Sequence, residues 1–219
     1  MSSDSKIDTL LRLARRGPLR SVALENAGIP RAYLTRLVRR GELEKIDRGL
    51  YRIPDPDPDQ DDADLGEMAA VSVRVPRATL CLLTAGYVHG LVRRQPEHVW
   101  LMLGAHDRRP KLEAFSIELV RATGRARTYG LEKLKCRHGI LPLTTPAKTV
   151  ADCFRYRRRV GLEVAVAALR RFLSQAGKGG KSTDDAIEAL VLAAGADGVI
   201  SVLRPYLPAR ARQVHPGDT

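Results

Sequence analysis

The sequence has few of the residues that build cross-linked or metal-bound domains. Its 219 residues include three cysteines, Cys81, Cys136 and Cys153, and no two of them form a CxxC pair. Such a set argues against a disulfide framework or a zinc knuckle and fits a reducing cytoplasm. No apolar run reaches the ~20 residues that a membrane span needs, and no secretory signal is evident. We therefore expect a cytoplasmic protein with no membrane partner.

Acidic residues are outnumbered, and the charge is unevenly distributed. The chain holds 37 Lys and Arg against 25 Asp and Glu, a net charge of +12. Residues 1–53 hold 12 basic and 6 acidic residues, residues 54–64 hold six aspartates and no base, and residues 65–219 hold 25 basic and 13 acidic residues. Because Asp-Pro steps disfavour helix and like charges repel, the pattern predicts an extended linker at 54–64 between domains 1–53 and 65–219.

The first domain carries helix start and stop signals. A first helix from Ser5 ends at Gly17-Pro18, a second covers about Arg20–Ala27, and a third begins at Pro30 and closes at Gly41. Asp47-Arg48-Gly49 then lies between two short apolar-bearing runs, as in a hairpin turn. Three helices followed by a basic hairpin are typical of a winged helix-turn-helix.

The third helix has an apolar face and a basic face. Projection at about 100° per residue places Leu34, Leu37 and Val38 on one side. Small, hydroxyl and arginine side chains on the opposite side suit the major groove, where arginine can bind guanine bidentately. The alternative is a small helical domain with a solvated arginine face. We predict that the DNA contacts are made by Arg31, Ala32, Thr35, Arg36, Arg39, Arg40, Arg48 and Arg52.

Three stretches resemble the AbiEi antitoxins of bacterial type IV toxin–antitoxin and phage-defence systems. They are IPRAYLTRLVRRGELEKIDRGLYRIP, VPRATLCLLTAGYVHGL (Val75–Leu91) and TTPAKTVADCFRYRRRVG (Thr144–Gly161). The resemblance implies a transcriptional repressor of its own operon. It also implies that an antitoxin-like domain at 65–219 counters a co-encoded toxin of the nucleotidyltransferase type. The expected partners are that toxin and double-stranded operator DNA with repeated or inverted half-sites, since one winged helix buries little surface.

The second domain is predicted to mix helices and strands. Leu65–Val75 and Ala78–Leu91 have helical patterns, His98 and Ser116 begin strand-like runs, and a hairpin is expected around His138-Gly139. Thr145 caps a helix that Pro146 opens, and further helices follow to about residue 207. The fold class expected is α+β: an N-terminal winged helix-turn-helix domain plus a C-terminal mixed domain with a small sheet flanked by helices.

The sequence predicts no catalytic residue, metal site or cofactor. GKGGKST (Gly177–Thr183) lacks the spacing and the preceding strand of a phosphate loop, so we predict an interhelix loop there. Asp152 is explained by pairing with Lys148 four residues earlier. The dense run Arg155, Arg157, Arg158 and Arg159 is a possible second basic patch for DNA or an acidic partner, and scattered solvated charge is the alternative. A winged-helix-targeted nuclease or nucleotide-handling enzyme, or a regulator that senses a small ligand, remains open.

Overall fold

The computed structural model describes residues 3–55, 59–176 and 182–212. The chain divides into two compact units. The first comprises Met1–Ala78, Arg108–Ser116 and Lys133–Leu141, and the second comprises Thr79–Asp107, Ile117–Glu132 and Pro142–Thr219. The predicted interhelix loop at 177–181 and residues 56–58 of the predicted linker lie outside the described residues.

The first unit contains a winged helix-turn-helix, as the sequence predicted. Its elements are α1 (Ser3–Ala14), β1 (Leu19–Arg20), α2 (Ser21–Asn26), α3 (Arg31–Arg39), β2 (Glu44–Asp47) and β3 (Leu50–Arg52). The strands form an antiparallel sheet in the order β1-β3-β2. Leu10, Leu24, Leu34, Leu37 and Leu43 form its core, so each helix contributes a buried leucine.

The predicted extended linker is helical in its last part. Helix α4 spans Gln60–Arg74 and lies within the first unit. Arg74 Nε donates a hydrogen bond to Asp47 Oδ2 on β2 over 3.4 Å. The linker prediction is therefore wrong from Gln60 onward. The apolar residues that follow the aspartates, such as Met68 and Val71, are buried and favour helix more than the like charges oppose it.

The second unit is built on a mixed sheet. Its strands are β4 (Thr79–Leu80), β5 (Val99–Gly104), β6 (Ile117–Ala122), β7 (Leu131–Cys136) and β8 (Gly139–Thr144), in the order β6-β5-β4-β8-β7. Residues 133–136 of β7 and 139–141 of β8 belong to the first unit. β5 pairs with β6 in parallel over six residues. The small mixed sheet is thus confirmed, as is the hairpin around His138-Gly139.

One helix prediction in the second unit is wrong at its start. The segment Ala78–Leu91 begins with strand β4, and only then does helix α5 (Leu82–Val88) follow. β4 lies between β5 and β8, antiparallel to the first and parallel to the second. Thr79 and Leu80 are both buried, so this central strand lacks the alternation by which a half-exposed strand is recognised.

The remaining helices of the second unit surround a continuous core. They are α6 (Gly124–Thr128), α7 (Pro146–Arg155), α8 (Arg157–Val160), α9 (Leu162–Ala176), α10 (Thr183–Ala196) and α11 (Ile200–Leu203). The side chain of Thr145 accepts a hydrogen bond from the backbone N–H of Lys148, which confirms the predicted cap of α7. Among the described residues, no helix combines the length and apolar composition that crossing a membrane requires.

Candidate nucleic-acid interface

Helix α3 exposes the face that the sequence predicted to contact DNA. Leu34 and Leu37 are buried, whereas Ala32, Thr35, Arg36 and Arg39 are exposed, as are Arg31 and Arg40 at the two ends. Val38 was expected on the buried face, but it is 36% exposed. Tyr33 packs against the core instead. The accessible face therefore combines a methyl group, a hydroxyl and several cations.

Most arginines of this face have a weak intramolecular partner. Arg31 pairs with Glu25, Arg40 Nη1 lies 3.7 Å from Glu42 Oε1, and the guanidinium carbon of Arg36 lies 5.6 Å from the centre of the Tyr33 ring. The ion-paired side chains are 38–66% exposed, so each pair contributes at most about 1 kcal/mol and a phosphate can replace the carboxylate. Arg39 has no ion-pair partner among the described residues.

The wing is the β2–β3 hairpin, and its turn is fixed against α2. The backbone N–H of Ser21 donates to the carbonyl of Gly49 over 2.9 Å. Gly49 has φ +70°, and a Cβ there would lie 2.9 Å from Ser21 Oγ. The turn therefore requires glycine, and it presents the preceding residue, Arg48, to solvent.

Two other basic residues lie on the wing, one predicted to contact DNA and one not. Arg52 is 34% exposed and pairs with Glu44 across the two strands. Lys45, which we did not predict as a contact, is exposed on β2. Burial does not alternate along Glu44–Asp47, because the register with β3 shifts between Lys45 and Asp47, so no period-two signal in the sequence pointed to Lys45.

The run Arg155–Arg159 in the second unit is largely engaged with its own unit. Arg155 Nη1 donates to the carbonyl of Asp197 over 3.0 Å, and Arg157 Nη1 donates to the carbonyl of Phe154 over 2.9 Å. Arg159 donates to Glu118 over 2.5 Å and stacks 4.9 Å above the Trp100 ring. Arg158 is exposed. These contacts account for the density of the run without any ligand.

The same unit buries a lysine between two carboxylates. Lys148 Nζ donates to Asp152 Oδ1 over 2.5 Å and to Asp197 Oδ1 over 2.6 Å, and all three side chains are at most 4% exposed. The predicted pairing of Asp152 with Lys148 is therefore present. Asp197 was not foreseen, because it follows Lys148 by 49 residues and joins it only through the packing of α7 against α10.

Burial and charge shift the pKa values of this cluster. Burial, together with Asp197, raises the pKa of Asp152 to about 7, although Lys148 opposes the shift. Burial lowers the pKa of Lys148, but the two carboxylates more than offset this, so its pKa lies above the ordinary value. Among the described residues, no three His, Cys, Asp or Glu side chains are grouped so as to hold a metal ion.

The order of elements and the exposed basic face of α3 define a winged helix-turn-helix of the DNA-binding class. Residues 8–54 match a family described as "Transcriptional regulator, AbiEi antitoxin". The resemblance seen in the sequence is thus confirmed over that segment, which runs from within α1 to just past β3.

Two further comparisons concern the whole chain. The crystal structure of the RV2827C protein from Mycobacterium tuberculosis is similar to it at 18% sequence identity and a TM-score of 0.49, covering 95% of this chain and 80% of that one. No curated protein matches the chain.

Proposed function

We propose that this protein is a DNA-binding transcriptional autorepressor and an antitoxin against a co-encoded nucleotidyltransferase-like toxin. The family match at residues 8–54 supports the regulator and antitoxin role in general. The observation that carries DNA binding is the face of α3, where Ala32, Thr35, Arg36 and Arg39 are exposed while Leu34 and Leu37 anchor the helix in the core.

In this proposal α3 enters the major groove and the wing contacts the backbone. Arg36 reads a base, because it lies on the exposed face between Ala32 and Arg40 and arginine can bind guanine bidentately, and Thr35 and Ala32 contact neighbouring base edges. Phosphates are bound by Arg39 on the exposed face, by Arg31 and Arg40 at its two ends, and by Arg48 on the wing. Arg52 contributes less, because it is half-buried and paired with Glu44.

Operator recognition is tested by titrating the full chain with DNA from upstream of its own gene. Fluorescence anisotropy at physiological salt compares this DNA with a shuffled sequence of equal composition. We expect the upstream DNA to bind more tightly, and two half-sites to bind more tightly than one. Equal affinity for the upstream and shuffled DNA would contradict a sequence-specific repressor. For variants of the proposed contacts, the matched control is Arg12→Ala. It removes an exposed arginine of α1 outside those contacts and should leave the affinity for DNA unchanged.

The antitoxin role is tested separately from DNA binding. The full chain and an Arg36→Ala/Arg39→Ala double variant are each co-expressed with the neighbouring toxin gene, and growth is measured. We expect both to rescue growth, because neutralisation is assigned to residues 65–219. Loss of rescue in the double variant, with its fold intact by circular dichroism, would place neutralisation in the winged helix.

A further inference from the structure

The first unit encloses a cavity beside the wing that the proposed function does not use. Its volume is about 630 Å³, within the range of about 300–1,000 Å³ that small-molecule sites occupy. Apolar side chains from separate elements wall it, among them Ala14 of α1, Ile46 of β2, Ile53 after β3, and Phe115. The space is thus shaped by the winged helix itself together with α4.

Several cations line this cavity. Arg15, Arg52 and Arg137 line it together with His138, against the carboxylates of Asp55 and Glu67. A Cβ at Gly66 on α4 would lie 3.4 Å from Arg52 Nη1 and 3.5 Å from His138 Cε1. Arg137 Nε in turn lies 3.3 Å from His138 Nε2. The guanidinium of Arg52 and the imidazole of His138 therefore meet above a helix backbone that carries no side chain at this point.

The cations are held by carboxylates that a ligand can replace. Arg52 pairs with Glu44, and Arg137 pairs with Asp55; the four side chains are 32–57% exposed, so both pairs are accessible to solvent. Burial, together with Asp64, raises the pKa of Glu67 on the cavity wall. Three arginines against two acids leave the lining net positive.

We infer that this cavity binds a small organic anion with an aromatic or apolar body and one carboxylate. The body lies against Ile46, Ile53 and Phe115, and the carboxylate accepts hydrogen bonds from Arg52 and Arg137. Binding releases Glu44 of β2 from Arg52 of β3, so the ligand alters the ion pair that spans the wing. Any consequence for DNA binding depends on the proposed function; ligand binding itself does not.

The test uses the full chain without DNA and two matched probes. Isothermal titration compares 2-naphthoate with 2-naphthamide, which has the same ring system and no charge. We expect the amide to bind at least about tenfold more weakly, since it loses charge-assisted hydrogen bonds. Arg137→Gln should weaken naphthoate binding by a similar factor. The exposed Arg109→Gln, which makes the same change in charge elsewhere in the unit, should leave it unchanged.

A second variant distinguishes loss of ligand binding from loss of the folded state. Ala63→Leu on the α4 wall fills cavity space with a good helix former and keeps every cation, so it should also weaken naphthoate binding while circular dichroism stays native. Equal binding of acid and amide would overturn the inference, as would full binding by Ala63→Leu or Arg137→Gln, or inorganic phosphate binding as tightly as naphthoate. A parallel operator titration reports on the proposed function alone, because naphthoate binding is measured without DNA.

Discussion

Arg74 Nε donates a hydrogen bond to Asp47 Oδ2 over 3.4 Å and so joins the last turn of α4 to strand β2 of the wing. The Asp47 side chain is 2% exposed, and a buried carboxylate that loses its ion-pair partner destabilises the fold. Helix α4 is therefore part of the structure that holds the wing, although charge distribution alone assigns most of it to the second domain.

Replacing Arg74 should destabilise the first unit. We expect Arg74→Ala to lower the free energy of unfolding by about 1–3 kcal/mol, because Asp47 loses a charged hydrogen-bond partner while it stays buried. Urea unfolding followed by circular dichroism measures this. The control is Arg12→Ala, which should be near neutral; adding Asp47→Asn to Arg74→Ala should recover part of the loss. If Arg74→Ala left the free energy of unfolding unchanged, the contact between Arg74 and Asp47 would not stabilise the first unit.

The length of an N-terminal fragment should determine its stability. The charge distribution predicts that residues 1–60 and 65–219 fold separately, whereas the structure places α4 in the first unit. We expect a fragment of residues 1–78 to unfold at higher urea concentration than one of residues 1–60, since only the longer fragment retains the Arg74–Asp47 contact. Equal urea midpoints of unfolding for the two fragments would favour the domain boundary at 54–64 that the charge distribution predicts.

Substitutions of the arginines on α3 and on the wing should distinguish contacts to bases from contacts to phosphates. Arg36→Ala should cost about 1–3 kcal/mol on operator DNA and less on shuffled DNA. Arg39→Ala and Arg48→Ala should weaken both DNAs alike and reduce the slope of log affinity against log salt by about one each. Anisotropy titrations over a salt series measure both quantities. Equal losses on both DNAs for Arg36→Ala would remove its base-reading role.

The buried lysine of the second unit should be indispensable for folding. Lys148→Met leaves Asp152 buried without its cation and leaves Asp197 with Arg155 Nη1, 3.8 Å from its Oδ1; losing the cation of a buried ion pair costs about 3–5 kcal/mol. Thermal and urea unfolding measure the loss. In a Lys148→Met/Asp152→Asn double variant a neutral amide replaces the uncompensated carboxylate of Asp152, so stability should partly return. If the single variant were as stable as the wild type, the cluster would not be holding α7 to α10.

Asp152 should make stability depend on pH in a direction unusual for a carboxylate. Its pKa of about 7 in the folded chain exceeds the unfolded value of about 3.9, so the folded state binds more protons between these limits. The stabilisation that comes from protonating Asp152 in the folded state is therefore fully present below pH 4 and is lost as the pH rises through 7. The difference in unfolding free energy between wild type and Asp152→Asn, measured from pH 4 to 8, should fall with rising pH. A flat difference would contradict a raised pKa.

The sequence by itself determined the parts whose signals are local. Helix caps and the spacing of Leu34 and Leu37 fixed α3, and the glycine turn at Gly49 fixed the hairpin, because capping, periodicity and turn chemistry act within a few residues. The exposed face of α3 and the pairing of Lys148 with Asp152 one helical turn away followed for the same reason.

Only the tertiary structure decided the features that depend on distant residues. The burial of Met68 and Val71 extended the helix predicted over Leu65–Val75 back to Gln60, where the aspartates alone predicted an extended chain, and the central position of Thr79–Leu80 turned an apolar segment into strand β4. Asp197 reaches Lys148, and Arg52, Arg137 and His138 reach one cavity, through contacts between residues more than 40 positions apart in the sequence. No local pattern encodes such contacts, because packing of complete elements brings these side chains together.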